Sequence, residues 1–136
     1  MINTLQGGRV KVEYVEKGSG HRVVLLHSTA ATNRQWKKLI ELLSPDYNLI
    51  APNLLGYGET DCWNRDKPLT LADQAEIVRQ FIPESGKKFS LVGHSFGGSV
   101  AMMAAKEYPQ KIEKLLLIEP NPFYLLKNHS DLGSYQ

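Results

Sequence analysis

The sequence predicts an α/β fold: a mostly parallel sheet with helices on both faces. Three observations carry that prediction. Short continuous apolar runs such as Val23-Val24-Leu25-Leu26 suit strands buried on both faces. Stretches with apolar residues at helical spacing lie between them, and glycine-rich loops mark the junctions. Strands separated by helical crossovers pair in parallel, because a hairpin can join only antiparallel neighbours.

The elements follow in order. Arg9 to Glu16 alternates, with Val10, Val12 and Tyr14 on one face, which suits a half-buried antiparallel strand near a sheet edge; Gly18-Ser19-Gly20 then turns the chain. Val23 to Leu26 is a buried strand, and a loop runs from His27 to Asn33. Asn33 is placed to cap a helix carrying Trp36, Leu39, Ile40, Leu42 and Leu43, closed by Pro45. Tyr47 to Ala51 is the next strand. Pro52-Asn53-Leu54-Leu55-Gly56-Tyr57-Gly58 is a glycine-punctuated loop. Thr70-Leu71-Ala72-Asp73 opens a second helix, with Ala75, Ile77, Val78, Phe81 and Ile82 inward and an end before Gly86. Phe89 to Val92 is another buried strand, followed by an Ala- and Met-rich helix to Tyr108 and a last strand from Ile112 to Glu119.

Bulk properties narrow the partners. A chain of 136 residues is one domain's worth and buries about two thirds of its unfolded surface. The formal net charge of +2 comes from scattered Lys and Arg, so no basic stripe marks a nucleic-acid or membrane surface, and small molecules are the expected partners. The single cysteine, Cys62, excludes an internal disulfide and has no metal-spaced His or Cys nearby. The N-terminus lacks a signal-peptide pattern and no apolar run approaches a bilayer span, so the expectation is a cytoplasmic, soluble protein.

The chemistry concentrates at Gly93-His94-Ser95-Phe96-Gly97-Gly98, between a buried strand and a helix. Gly-x-Ser-x-Gly in that context is a nucleophile elbow: the serine sits at a sharp, strained turn, and residues two away on either side must be nearly side-chain-free. Gly93 and Gly97 meet that need, and Gly98, Ala101 and Ala105 let the helix approach the sheet. The helix start favours negative charge developing beside Ser95, which makes the Phe96 amide the first expected oxyanion donor. The second is expected from the loop after Leu26, at Thr29 with Ser28 as the near alternative.

Over most of its length, from the Val23 strand through the Ile112 strand, the sequence resembles the α/β-hydrolase family. His27-Ser28-Thr29 is similar to the family's His-Gly-x oxyanion loop, Trp36 follows at the familiar distance, Pro52 to Gly58 is similar to its Asp-x-x-Gly-x-Gly loop, and Gly93 to Gly98 matches its elbow. Two positions depart: Ser28 replaces the usual glycine and Asn53 the usual acid. The resemblance implies a serine nucleophile acting on an ester, thioester or C-C bond without a cofactor. The dehalogenase and epoxide-hydrolase branches place aspartate at the nucleophile position instead. The resemblance also implies an acid on a later strand and a base histidine nearer the C-terminus, segments this sequence lacks. His129 is the chain's own candidate base and Glu119 its candidate acid, with Asp131 a weaker one. On this reading residues 1–119 are the N-terminal part of a hydrolase core and 120–136 begin a cap or lid. The Ile112 to Glu119 strand then has an open edge, suited to self-association, to pairing with another chain, or to cover by the tail after Pro120.

Other motifs have plainer readings. His27 shapes its loop, His94 lines the elbow, and Trp36 and Met102-Met103 are core or helix-packing residues. Gly56-Tyr57-Gly58 lacks the third glycine of a dinucleotide loop, and Gly93 to Gly98 lacks the Gly-Lys-Ser/Thr ending of a phosphate loop. Two function classes therefore stand: a serine-hydrolase domain, incomplete and weak as this chain, or a non-catalytic module that binds through the pocket mouth or the open edge.

Overall fold

The apolar runs become the strands of one six-stranded sheet. The computed structural model describes residues 2–7, 10–63 and 66–121. The elements are β1 (Ile2–Gly7), β2 (Val10–Lys17), β3 (His21–Leu26), a 3-10 helix (Asn33–Trp36), α1 (Lys37–Leu43), β4 (Tyr47–Pro52), α2 (Leu71–Arg79), β5 (Phe89–His94), α3 (Phe96–Glu107) and β6 (Ile112–Ile118). Across the sheet the order is β1-β2-β4-β3-β5-β6. β1 and β2, and β2 and β4, pair antiparallel; β4, β3, β5 and β6 run parallel to one another.

Adjacent residues of a strand point to opposite faces, and here both faces are covered. Leu26, Ile50 and Leu91 pack with Ile77 and Val78 of α2 and Val100, Ala101 and Ala104 of α3. On the other face, Leu25, Leu49 and Val92 pack with Trp36 and Ile40. This is why the strands read as continuous apolar runs instead of alternating ones. Fully burying a side chain such as Leu25, Leu49 or Phe89 contributes about 1.5–3 kcal/mol. The Trp36 reading as core holds, and Met103 packs against the first cluster.

Helix ends follow local chemistry. Thr70 and Asp73 form a reciprocal capping box that starts α2, each satisfying a backbone N–H of the other. Tyr108, at the end of α3, donates its hydroxyl to Glu76 of α2; burial first and the Glu76 carboxylate second push its phenol up to about 12.

Four local expectations change. β1 was not anticipated, and it displaces β2 from the sheet edge. The cap before Trp36 is Thr32, whose side chain accepts from the Arg34 N–H, while the amide of Asn33 is buried and donates to the Ala51 carbonyl. Leu42 faces solvent at 73% exposure, because it lies two residues, about 200° around the helix, from the buried Ile40 of α1. In α3 it is Ala104, more than Ala105, that is buried against the sheet.

β6 is the last strand of the sheet among the described residues, and Leu115, Leu116 and Ile118 are exposed on it. Among the described residues, no helix is long and apolar enough to cross a membrane. The tail from Pro122 onward lies outside the described residues, and His129 and Asp131 with it.

Candidate active site

The chain fills the parallel part of the sheet outward from β3: first to β4 on one side, then to β5 and β6 on the other. Right-handed crossovers then place α1 on one face and α2 and α3 on the opposite one. Ligand crevices in such sheets lie at the carboxyl ends of the strands where the direction reverses, here between β3 and β5. His27, Ser28 and Thr29 follow β3, and Ser95 follows β5.

At Ser95 the backbone makes the sharp bend that the sequence predicts. Its φ of 55° and ψ of −115° fall in a region that L side chains rarely adopt. Its N–H bonds the Ile118 carbonyl at 3.0 Å, and its carbonyl accepts from Gly98 at 2.9 Å and from Ser99 and Asn121 at 3.2 Å. The Phe96 and Gly97 amides, first in α3, have no acceptor within the helix and add to its positive end. A Cβ on Gly93 would overlap the backbone of Gly97, and one on Gly97 would overlap the carbonyls of Leu26 and His27. The start of α3 therefore crosses directly over the end of β3. The two glycines are what bring the elbow and the loop after β3 together.

That loop is held at Ser28. A turn closes from the Ser28 carbonyl to the Ala31 N–H at 3.3 Å, with Ala30 at a φ of 60°. His27 is fully buried and bonded at both ring nitrogens. Nε2 accepts from the Leu54 N–H at 3.0 Å, so the proton sits on Nδ1, which donates to the Ser28 carbonyl at 2.9 Å. Burial holds the His27 imidazole below its ordinary pKa, with the Ser28 bond acting in the opposite sense. The Ser28 N–H and hydroxyl both go to Gln35 Oε1, at 2.8 and 3.1 Å. Thr29 is exposed.

The Asn53 loop is fixed by buried polar bonds. Asn53 accepts from the Asn33 N–H at 2.8 Å and donates to the Glu13 carboxylate at 2.9 Å. Glu13 is only 8% exposed and also accepts from the Glu59 N–H. A carboxylate is therefore present beside the loop, supplied by β2. An acid at position 53 would set two carboxylates face to face.

Two hollows accompany this arrangement. One of about 250 Å³ flanks the start of α3, between Leu69, Leu71, Phe96, Ser99 and Asn121. A larger cleft of about 580 Å³ lies elsewhere, between β2 and α1, with Lys17, Arg34, Lys37 and Glu41 on its walls. Its charged walls lie apart from the elbow, whereas the smaller hollow is lined by Phe96 and Ser99, which follow Ser95 in the chain.

The alpha/beta hydrolase fold family profile matches residues 21–134. The chain belongs to this family. It is similar to a soluble epoxide hydrolase of Corynebacterium sp. (strain C12), 33% identical over 116 residues, which covers 82% of this chain and 39% of that protein. It is similar also to a pimeloyl-[acyl-carrier protein] methyl ester esterase of Aliivibrio fischeri (strain MJ11), 30% identical over 108 residues, 79% of this chain and 40% of that one. Among solved structures it resembles epoxide hydrolase VrEH1 from Vigna radiata, with a TM-score of 0.79 and 27% identity, covering 86% of this chain and 37% of the other. The chain spans about two fifths of the length of these curated relatives.

The departures at Ser28 and Asn53 have local partners in Gln35 and Glu13. Both partners escaped the sequence reading, since they lie 7 and 40 residues from the positions they serve. Of the residues singled out in sequence, Gly93, Ser95, Phe96 and Gly97 cluster where β5 meets α3, and Gly97 packs on the end of β3 just before Ser28 and Thr29. Glu119 lies one residue beyond the Ile118 carbonyl that Ser95 bonds; it is exposed, with a φ of 43°.

Gly97→Ala should lower the unfolding free energy by about 1–3 kcal/mol, because its new methyl meets backbone carbonyls that cannot rotate aside; urea melts check this. Acid should destabilise the fold through His27. Its folded-state pKa is depressed, so the unfolded chain takes up the proton first. Stability attributable to His27 is complete above about pH 6.5 and declines as pH falls below it. His27→Gln should flatten that part of the urea-midpoint profile.

Proposed function

We propose that the chain is the nucleophile-bearing part of a serine hydrolase that cleaves esters, thioesters or related carbonyl substrates. The observation that carries this reading is the conformation of Ser95, a non-glycine residue at positive φ placed at the mouth of a helix. Backbone strain of about 1–3 kcal/mol persists where the surroundings enforce it, and it concentrates at functional sites. In this reading Ser95 Oγ attacks the carbonyl carbon, and the developing oxyanion is met by the Phe96 amide and a second amide from the loop after β3. Thr29 is the better donor of the two considered, because the Ser28 N–H is already engaged by Gln35. The acyl-enzyme is then released by water.

Relatives named as epoxide hydrolases raise the alternative of ring opening. A carboxylate that opens an epoxide forms an ester, which water can cleave at its carbonyl. A serine hydroxyl would form an ether, which has no carbonyl and would end turnover. Ser95 therefore supports acyl chemistry. The apolar hollow beside Phe96 supports a small apolar group near the reacting carbonyl.

His27 does not suit the role of base, since both its ring nitrogens are committed; His129 and Glu119 are the chain's own candidates for base and acid. Asn121 is tied to the Ser95 carbonyl and accepts from the Ser99 hydroxyl. The chain thus leaves β6 over the start of α3, which supports residues 1–119 as core and 120–136 as the beginning of a cap. The exposed, free thiol of Cys62 fits a reducing, cytoplasmic setting.

A second reading draws on the exposed Leu115, Leu116 and Ile118 of β6, an edge suited to another copy or another chain. It needs no activated serine. A fluorophosphonate probe separates the two. The hydrolase reading expects an adduct mapped by mass spectrometry to Ser95 and absent in Ser95→Ala. A folded chain that stays unlabelled at Ser95 contradicts it.

A further inference from the structure

The Gln35 side chain connects two pieces of the site, the loop after β3 and the end of β5. It sits on the 3-10 helix between two buried residues: Asn33, bonded to Asn53 and Ala51, and Trp36, packed in the core. An exposed side chain is thus carried on a fixed mount. Oε1 accepts from the N–H and hydroxyl of Ser28, and Nε2 lies 3.0 Å from Nδ1 of His94, the residue before Ser95.

Chemistry fixes the direction of every bond in this chain. A backbone N–H can only donate, so the Gln35 atom facing Ser28 must be the oxygen. The nitrogen then faces His94, and because an amide NH₂ only donates, Nδ1 of His94 must be bare. Making that bond puts the ring proton of His94 on Nε2. The loop after β3 is strained at Ala30, and its bonds from His27 and Ala31 arise within or next to the loop itself. Gln35 ties it instead to the end of β5.

We propose that Gln35 is a positioning residue that holds the Ser28–Thr29 loop against the elbow through His94, and so sets the separation between the Thr29 and Phe96 amides. Ser28 strengthens this clamp: a glycine there would keep the N–H bond and lose the hydroxyl bond. The link to catalysis rests on the serine-hydrolase reading, whereas the clamp itself does not.

Two variants test both parts on the chain as it stands. Gln35→Met keeps the length and removes all three bonds. Gln35→Glu keeps an acceptor for Ser28 but has no proton to give to His94. Nitrogen-15 NMR of the wild-type ring should show an unprotonated Nδ1 on His94. In Gln35→Glu the ring proton should move to Nδ1, and in Gln35→Met the Ser28 amide should shift toward its solvent-exposed position. Fluorophosphonate labelling of Ser95 should slow about 10- to 100-fold in Gln35→Met, less than the loss of a whole oxyanion donor, with partial recovery in Gln35→Glu. A wild-type His94 protonated at Nδ1, or a Ser28 amide unmoved in Gln35→Met, overturns the clamp. Spectra as expected with unchanged labelling rates overturn the positioning role. A wild-type chain that is not labelled at all overturns the hydrolase reading, and the positioning role with it, while the spectra still decide the clamp.

Discussion

The bend at Ser95 is the constraint on which the rest of the site depends. A residue with a side chain sits at a φ of 55°, and it stays there because its N–H and carbonyl are both committed, to Ile118 on one side and to Gly98, Ser99 and Asn121 on the other. Those bonds come from β6, α3 and the segment after β6, so the bend holds only when the parallel sheet and its crossover helix are in place. Gly93 and Gly97 are small for the same reason: the bend presses the first turn of α3 onto the ends of β5 and β3. The result is a helix terminus, with unsatisfied amides, at the reversal point of the sheet.

Strain gathers along that same rim. Among the described residues, the non-glycine residues at positive φ are Ala30, Ser95 and Glu119, and they follow β3, β5 and β6 respectively. Each sits at the carboxyl end of a parallel strand. The opposing stabilisation is buried and polar: His27 bonded to the Leu54 N–H and the Ser28 carbonyl, and Asn53 held between Asn33 and Glu13. Buried polar groups cost stability unless they are bonded, so these chains of bonds fix the loops in one arrangement where apolar packing would allow several.

Much of this was legible in the residue order. β3, β4 and β5 could be read because strands covered on both faces are apolar throughout, β6 by its apolar run although most of it is exposed, and the elbow because strain at the serine demands glycines at fixed spacing. Other features were not legible, for physical reasons. β1 gains its place by pairing with β2 through backbone bonds, which leave little trace in side-chain pattern. Thr32 and Asn33 are both competent caps, and only the fold shows that the Asn33 amide is drawn away to Ala51. Gln35 and His94 are 59 residues apart, and the polar residues they join have no periodicity to betray them. The candidate base His129 lies outside the described residues, and the chain spans about two fifths of the curated relatives it matches.

The most direct test of the strained elbow compares the stabilities of Ser95→Gly and Ser95→Ala. Both lose the hydroxyl, which makes no capping bond to the helix, so their difference isolates the cost of a Cβ at this backbone conformation. Glycine normally destabilises relative to alanine by about 0.5–1 kcal/mol. Here the glycine variant should instead be the more stable, by about 1–2 kcal/mol in urea or thermal unfolding. An alanine variant equal to or more stable than the glycine variant would contradict the bend, and with it the placement of Ser95 at the head of α3.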